Sequence, residues 1–262
     1  MILVSNLKIG YDDKIVVNEF GFEISQGEIV SLIGPNGSGK STVLKVISRL
    51  MNKMEGLVHL DGSDIHSLPT KEVAKKLSIL SQYNVSPPDF TVEELVGYGR
   101  MPHRKWYEQK SKEDEDIIKW AIQQTKLESL ADRLINSLSG GEKQRTWIAM
   151  ALAQKTKVLL LDEPTTYLDI SHQIEVMELI VRLNKEFGMT VIMVLHDLNQ
   201  AVRYSHRLMV IKNGRLVTEG APIHVLTKEM LRDVYNVEAE IAIDKHMGKP
   251  VFFPIGLACI SA

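Results

Sequence analysis

The residues GPNGSGKST (34–42) constrain this chain more than any other stretch. They fit the pattern G-x-x-x-x-G-K-[ST] in the context that pattern requires. IVSLIG (29–34), apolar almost throughout, runs in before them, and a helical pattern from Lys40 to about Leu50 follows. An apolar run without alternation reads as a strand buried on both faces, which belongs in a parallel sheet with helices on its faces. Glycines let backbone N–H groups turn inward as a cradle for phosphate oxygens, and the helix N-terminus adds partial positive charge at the same spot. In such a loop Lys40 is placed to reach β- and γ-phosphates and Ser41 to bind magnesium.

The rest of the chain supports an α/β reading. Residues 2–9, 15–24 and 56–62 carry β-branched and aromatic residues between turn signals and read as strands. From about Tyr83 the texture changes. VSPPDF (85–90) is a proline-rich break, and SKEDEDIIKWAIQQTKLESL (111–130) places Ile117, Ile118, Ala121, Ile122 and Thr125 on one helical face. Residues 86–150 therefore read as a mainly helical insertion. After Gly141, the stretch from Trp147 to Ala153 is apolar on all sides, as in a buried helix. A second α/β run follows: a strand at 157–162, a helix at 171–187 with Val176, Ile180, Leu183 and Phe187 on one face, a strand at 190–195 and a helix from about Leu198. LMVIKNGRLVTEG (208–220) is a hairpin turning at Asn213-Gly214, and PVFFPIG (250–256) looks like a strand in a short α/β tail.

Three further places carry chemistry. VLLLDE (158–163) is an apolar strand ending in two acids. Asp162 is suited to hold magnesium, and Glu163 to accept a proton from an attacking water; solvated strand-end acids are the plain alternative. TVIMVLHD (190–197) ends another apolar strand at His196. Ligands of open α/β sheets bind beyond the carboxyl ends of strands, so positions 34, 162 and 196 are expected on one sheet edge. Gln82 closes LSILSQ (77–82), where a neutral amide can touch magnesium or the attacking water. LSGGEKQR (138–145) has no reactive set of its own and reads locally as a cap before a buried helix.

Composition excludes several classes. The net charge of −2 offers no global basic field for nucleic acid. One cysteine, Cys259, allows neither an internal disulfide nor a cysteine-rich metal site and fits a reducing compartment. The longest apolar runs are far short of the roughly 18 residues of a membrane-spanning helix. The N-terminus, MILVSNLKIGYDDK, shows no basic stretch before an apolar block, so no signal peptide is expected.

GPNGSGKST, LSQ, LSGGEKQR, LLLDEP and LHD occur in this order, and over residues 1–225 the chain resembles the ATP-binding-cassette ATPases, the motor subunits of ABC transporters. The resemblance implies a P-loop NTPase core (1–85 and 151–225) with an antiparallel β subdomain, an inserted α-helical subdomain (86–150) and a tail (226–262). It implies ATP and magnesium as cofactors. Gly34, Pro35, Asn36, Gly37, Ser38, Gly39, Lys40, Ser41 and Thr42 would cradle the phosphates, and Tyr11 would stack on the adenine. Ser41, Gln82 and Asp162 would hold magnesium, Glu163 would be the general base, and His196 would contact the γ-phosphate. Ser139, Gly140 and Gly141 would complete the nucleotide site of a second copy packed head to tail, and Asp169 would lie in the loop between the copies. Glu142 stands where many members have glutamine, and its charge is expected to weaken ATP closure slightly. Tyr167 makes PTTYLD bulkier than usual.

Locally, over about 139–210, the chain resembles the subfamily serving ferric-siderophore, haem and cobalamin importers. That implies a homodimer of ATPase subunits on the cytoplasmic face of the cell membrane, bound to two permease subunits and acting indirectly with an extracytoplasmic binding protein, without nucleic acid. Ferric siderophore is the expected cargo; haem, cobalamin or metal-ion import, or a non-importer ATPase role, are the alternatives. The permease contact is expected between Gln82 and Arg104, with Pro87, Pro88, Phe90 and MPHRKWY (101–107) as candidates.

Overall fold

The computed structural model describes residues 1–11, 14–85, 87, 89–105, 107 and 109–258. Cys259, Pro88 and Trp106 lie outside the described residues. In chain order the elements are β1 (Ile2–Tyr11), β2 (Lys14–Ile24), β3 (Ile29–Ile33), α1 (Lys40–Ile47), β4 (Glu55–Leu60), β5 (Ser63–Asp64), α2 (Thr70–Ala74), β6 (Leu77–Leu80), α3 (Val92–Tyr98) and α4 (Lys112–Gln124). They continue as α5 (Gly140–Ala153), β7 (Val158–Asp162), α6 (Ile170–Phe187), β8 (Thr190–Val194), α7 (Leu198–Tyr204), β9 (Arg207–Lys212), β10 (Arg215–Gly220), α8 (Pro222–Val225), α9 (Lys228–Tyr235), β11 (Val237–Ile243) and β12 (Pro250–Leu257). The chain divides into two compact units, residues 1–66 with 192–262, and residues 67–191.

In the first unit, β2-β1-β4-β5 form an antiparallel sheet, and β10-β9-β3-β8 lie side by side, β3 pairing parallel with β9. The two sheets differ as their sequences do. β1 alternates between buried and partly exposed residues, as a sheet with one wet face should. β3 is buried at every position. The β9–β10 hairpin turns at Asn213 (φ 51°) and Gly214 (φ 72°), the two positive φ values that a type I′ turn needs.

The tail belongs to this unit. β11 and β12 pair antiparallel, and Lys249, at their turn, donates to the carbonyls of Val202 (2.9 Å), Arg203 (2.8 Å) and Ser205 (3.0 Å) at the end of α7. A cation there satisfies helix carbonyls that lack intrahelical partners and suits the negative end of the helix dipole. Asn199, also on α7, exchanges hydrogen bonds with the backbone of Phe252.

In the second unit, β6 pairs parallel with β7. β7 is buried throughout. The helical stretch begins three of its helices with the same local device. Thr91, Ser111 and Ser139 each cap a helix and are bonded back by Glu94, Asp114 and Glu142 three residues on. A buried ion pair then ties the helices. Arg100, after α3, bonds Asp114 of α4 at 2.8 Å and the Ala153 carbonyl of α5 at 2.9 Å. α6 buries Val176, Ile180 and Leu183 as expected, but not Phe187, which is exposed at the helix end with its ring edge-on to Trp120 at 5.2 Å. Gly188 follows in the left-handed conformation (φ 63°) and stops the helix. α1 likewise ends at Ile47, a turn earlier than its apolar pattern suggests.

Candidate nucleotide site and signature region

The glycine loop joins β3 to α1 in the first unit. Gly34, Gly37 and Gly39 sit at φ 149°, 76° and 104°. At Gly34 a Cβ would lie 2.0 Å from the Ile211 carbonyl oxygen, so the backbone passes where no side chain fits. Lys40 is 5% exposed, and its Nζ donates to the carbonyls of Gly34 and Pro35, both at 2.9 Å. The Ser38 hydroxyl is buried and bonds nothing among the described residues. A buried hydroxyl without a partner, inside a loop of inward-turned backbone at a helix start, fits a phosphate ligand. Ser41 and Thr42 follow on the first turn of α1, both partly buried.

Tyr11 is exposed at the end of β1, opposite Lys14. His196 is exposed just beyond β8, and the Leu195 N–H donates to the Leu32 carbonyl at 3.3 Å, so the ends of β3 and β8 are neighbours. Asp197 caps α7 by accepting from the Gln200 N–H at 3.0 Å. A residue that sequence reasoning missed is Tyr235, on α9, whose phenol lies beside the backbone of Gly34. Burial pushes this phenol well above its usual range, so it stays neutral. Nothing local in the sequence links positions 34 and 235; only the folding back of the tail does.

The second unit holds the remaining candidates. Asp162 is buried at the end of β7. Glu163 follows at φ 54°, an uncommon conformation for a side chain of this kind. The Gln82 amide donates to its Oε2 at 2.6 Å, and the Thr166 hydroxyl donates to the same oxygen at 3.1 Å. Gln82 thus meets Glu163 across 81 residues of chain. Next to them, the hydroxyls of Tyr83 and Tyr167 lie 3.3 Å apart, with Tyr167 also at positive φ (66°).

Ser139 caps α5, accepting from the Glu142 N–H (3.4 Å), while its own N–H and hydroxyl donate to Glu142 Oε2 at 2.8 Å each. These bonds hold the Glu142 carboxyl below the usual range. The residue that departs from the usual glutamine is therefore half of a capping box. Asp169 caps α6, accepting at Oδ1 from the His172 N–H (3.0 Å) and the Ser171 hydroxyl (3.0 Å). Among the permease-contact candidates, Pro87 is exposed, and Phe90 is half-buried against Tyr98 with ring centres 5.1 Å apart. The described residues contain no group of three or more His, Cys, Asp or Glu arranged to hold a metal. A magnesium ion bound mainly through nucleotide phosphates needs only one or two carboxylates from protein, so the lack of such a group among the described residues does not bear on it.

A buried parallel strand, this glycine loop and a helix define a nucleotide-binding P-loop protein. The profile of the ABC transporter family matches residues 17–166. The iron(3+)-hydroxamate import ATP-binding protein FhuC of Bacillus subtilis is 49% identical over 94% of this chain and 91% of that protein. The petrobactin import ATP-binding protein FpuC of Bacillus anthracis is 51% identical over 97% and 93%, and the ferric enterobactin transport protein FepC of Escherichia coli 46% over 95% and 92%. Among solved structures, an inward-facing ABC transporter assigned to the metal-chelate type superposes with a TM-score of 0.85 at 27% identity, covering 97% of this chain and 96% of that one. A dimeric ATP-binding cassette in a post-hydrolysis state with ADP and Pi superposes at 0.72 with 32% identity, covering 84% and 98%. The chain belongs to the ABC transporter family and is its ATP-hydrolysing, nucleotide-binding component.

Proposed function

We propose that this chain drives import of a ferric siderophore, working as a homodimer on the cytoplasmic face of the membrane beneath two permease subunits. The observation that carries the cargo class is the shared theme of its relatives: proteins between 46% and 51% identical over nearly the whole chain serve iron(3+)-hydroxamate import, petrobactin import or ferric enterobactin transport. No helix among the described residues is long and apolar enough to cross a membrane, so the pathway itself would lie in partner subunits.

The roles follow the residues. Backbone N–H groups of 34–42, with Lys40 and Thr42, bind and orient the phosphates, and Tyr11 stacks on the base. Ser41, Gln82 and Asp162 would hold magnesium, whose positive charge would offset that of the phosphates. Glu163 takes a proton from the attacking water, Gln82 orients both, and His196 contacts the γ-phosphate. Ser139, Gly140 and Gly141 offer the start of α5 to the nucleotide of the second copy, with Asp169 beside it. Closure around ATP favours one arrangement of the helical subdomain (86–150), and through the segment from Gln82 to Arg104 this gates the permease. Hydrolysis and phosphate release reopen the pair.

Uptake tests this directly. In cells whose sole copy carries Lys40→Ala, uptake of a labelled ferric siderophore should fall to background while haem and cobalamin uptake continue. Normal siderophore uptake with the variant protein present at wild-type level would overturn the cargo assignment.

A further inference from the structure

Two segments of the second unit are read above as meeting a second copy: the turn at Ser139–Gly141 and the loop ending at Asp169. One side chain touches both. Nδ1 of His172 lies 2.7 Å from Oδ1 of Asp169. Its ring lies against Gly141, where a Cβ would come within 2.2 Å of Cδ2 and 2.6 Å of Cγ. One turn further along each helix, Arg145 of α5 donates to Glu175 of α6 at 2.6 Å. The first two turns of α5 and α6 are thus keyed together, ring on glycine and then cation on carboxylate.

The glycine at 141 is explained by this contact and not by the backbone. It is helical, where alanine is favoured over glycine by about 1 kcal/mol. An alanine methyl has no room there because the ring of His172 occupies the space. The imidazole in turn is held by the residue that caps its own helix, so ring, cap and helix start are mutually fixed.

We propose that His172 is a positioning residue that sets the signature turn and Asp169 as one rigid edge, and that this edge closes onto a second copy of the chain. The inference rests on the shared-site reading above. It requires both ends of the side chain: a donor toward Asp169 and a ring against Gly141.

The test uses the full chain carrying Glu163→Gln. Association driven by ATP is measured by sedimentation, and nucleotide affinity by equilibrium binding at concentrations where the chain is monomeric. His172→Phe keeps a ring and loses the donor, His172→Asn keeps a donor and loses the ring, and His172→Ala loses both. Monomer affinity for ATP should stay within about twofold, while the dimer dissociation constant rises about threefold in each of the first two and about tenfold in His172→Ala. In addition, Gly141→Ala should lower the melting temperature in the presence of His172 and be tolerated in the His172→Ala background. Dimerisation of His172→Ala as tight as that of its parent, or equal tolerance of Gly141→Ala in both backgrounds, overturns the inference alone. A Glu163→Gln parent that stays monomeric at saturating ATP overturns the shared-site reading and the inference with it.

Discussion

At Gly34 the backbone holds φ 149° and leaves a Cβ only 2.0 Å from the Ile211 carbonyl. Both facts forbid a side chain, the first through backbone strain and the second through overlap with the neighbouring strand. Gly34→Ala should therefore cost about 3 kcal/mol or more, combining strain with displacement of packed backbone. A denaturant titration should show the midpoint lowered, and nucleotide binding should be lost with it, since Lys40 bonds the Gly34 carbonyl. Glu163 poses a different problem, because its positive φ is adopted by a residue with a side chain. The donors on its Oε2 come from Gln82 and Thr166, so the loop after β6 holds the acid after β7 in place. A strained residue kept by surrounding bonds, next to a buried carboxylate, is a common mark of a working site.

At the scale of elements, the helical stretch depends on one buried pair. Arg100 and Asp114 are each 5% exposed and bonded at 2.8 Å. Burial alone would raise the Asp114 pKa, but the Arg100 guanidinium and the N–H and hydroxyl of Ser111 outweigh it, holding the carboxyl below its usual range. A carboxylate with a depressed folded pKa adds stability above its unfolded value, near 3.9, and loses that contribution as pH falls through the folded value. Asp114→Asn would leave Arg100 without its counter-charge and should destabilise by about 3–5 kcal/mol at neutral pH. The gap between variant and wild type should narrow once pH drops below about 4, as chemical unfolding across pH would show. Removing the Arg100 partner also weakens a tie to α5, since the same guanidinium bonds the Ala153 carbonyl.

At the scale of the whole molecule, the tail is part of the first unit rather than an appendage. Tyr235 reaches Gly34, and Lys249 closes the end of α7, the helix that begins just after His196. Burial lowers the Lys249 pKa, a cost met by three carbonyl acceptors. Lys249→Met should leave those carbonyls without their cation and destabilise by about 2 kcal/mol, the scale of hydrogen bonds to a charged group. Lys249→Arg should recover part of that. Denaturant unfolding of the full chain checks both.

The sequence by itself determined the glycine loop that opens α1, the runs of buried strand, the I′ hairpin and the cap at Ser139. Each of these depends on neighbours within a few residues: glycine φ values, uninterrupted apolar runs, Asn-Gly, and a hydroxyl with an acid three places on. Even Phe187, assigned to the buried face of α6, fits that rule, because periodicity does not say where a helix runs past its core. Only the tertiary structure decided which distant residues meet: Gln82 with Glu163, Tyr235 with Gly34, Lys249 with α7, and His172 with Gly141. Those contacts join positions tens to hundreds of residues apart. No local propensity encodes them, because they arise from how buried strands and helix faces pack, and that packing is settled by the chain as a whole.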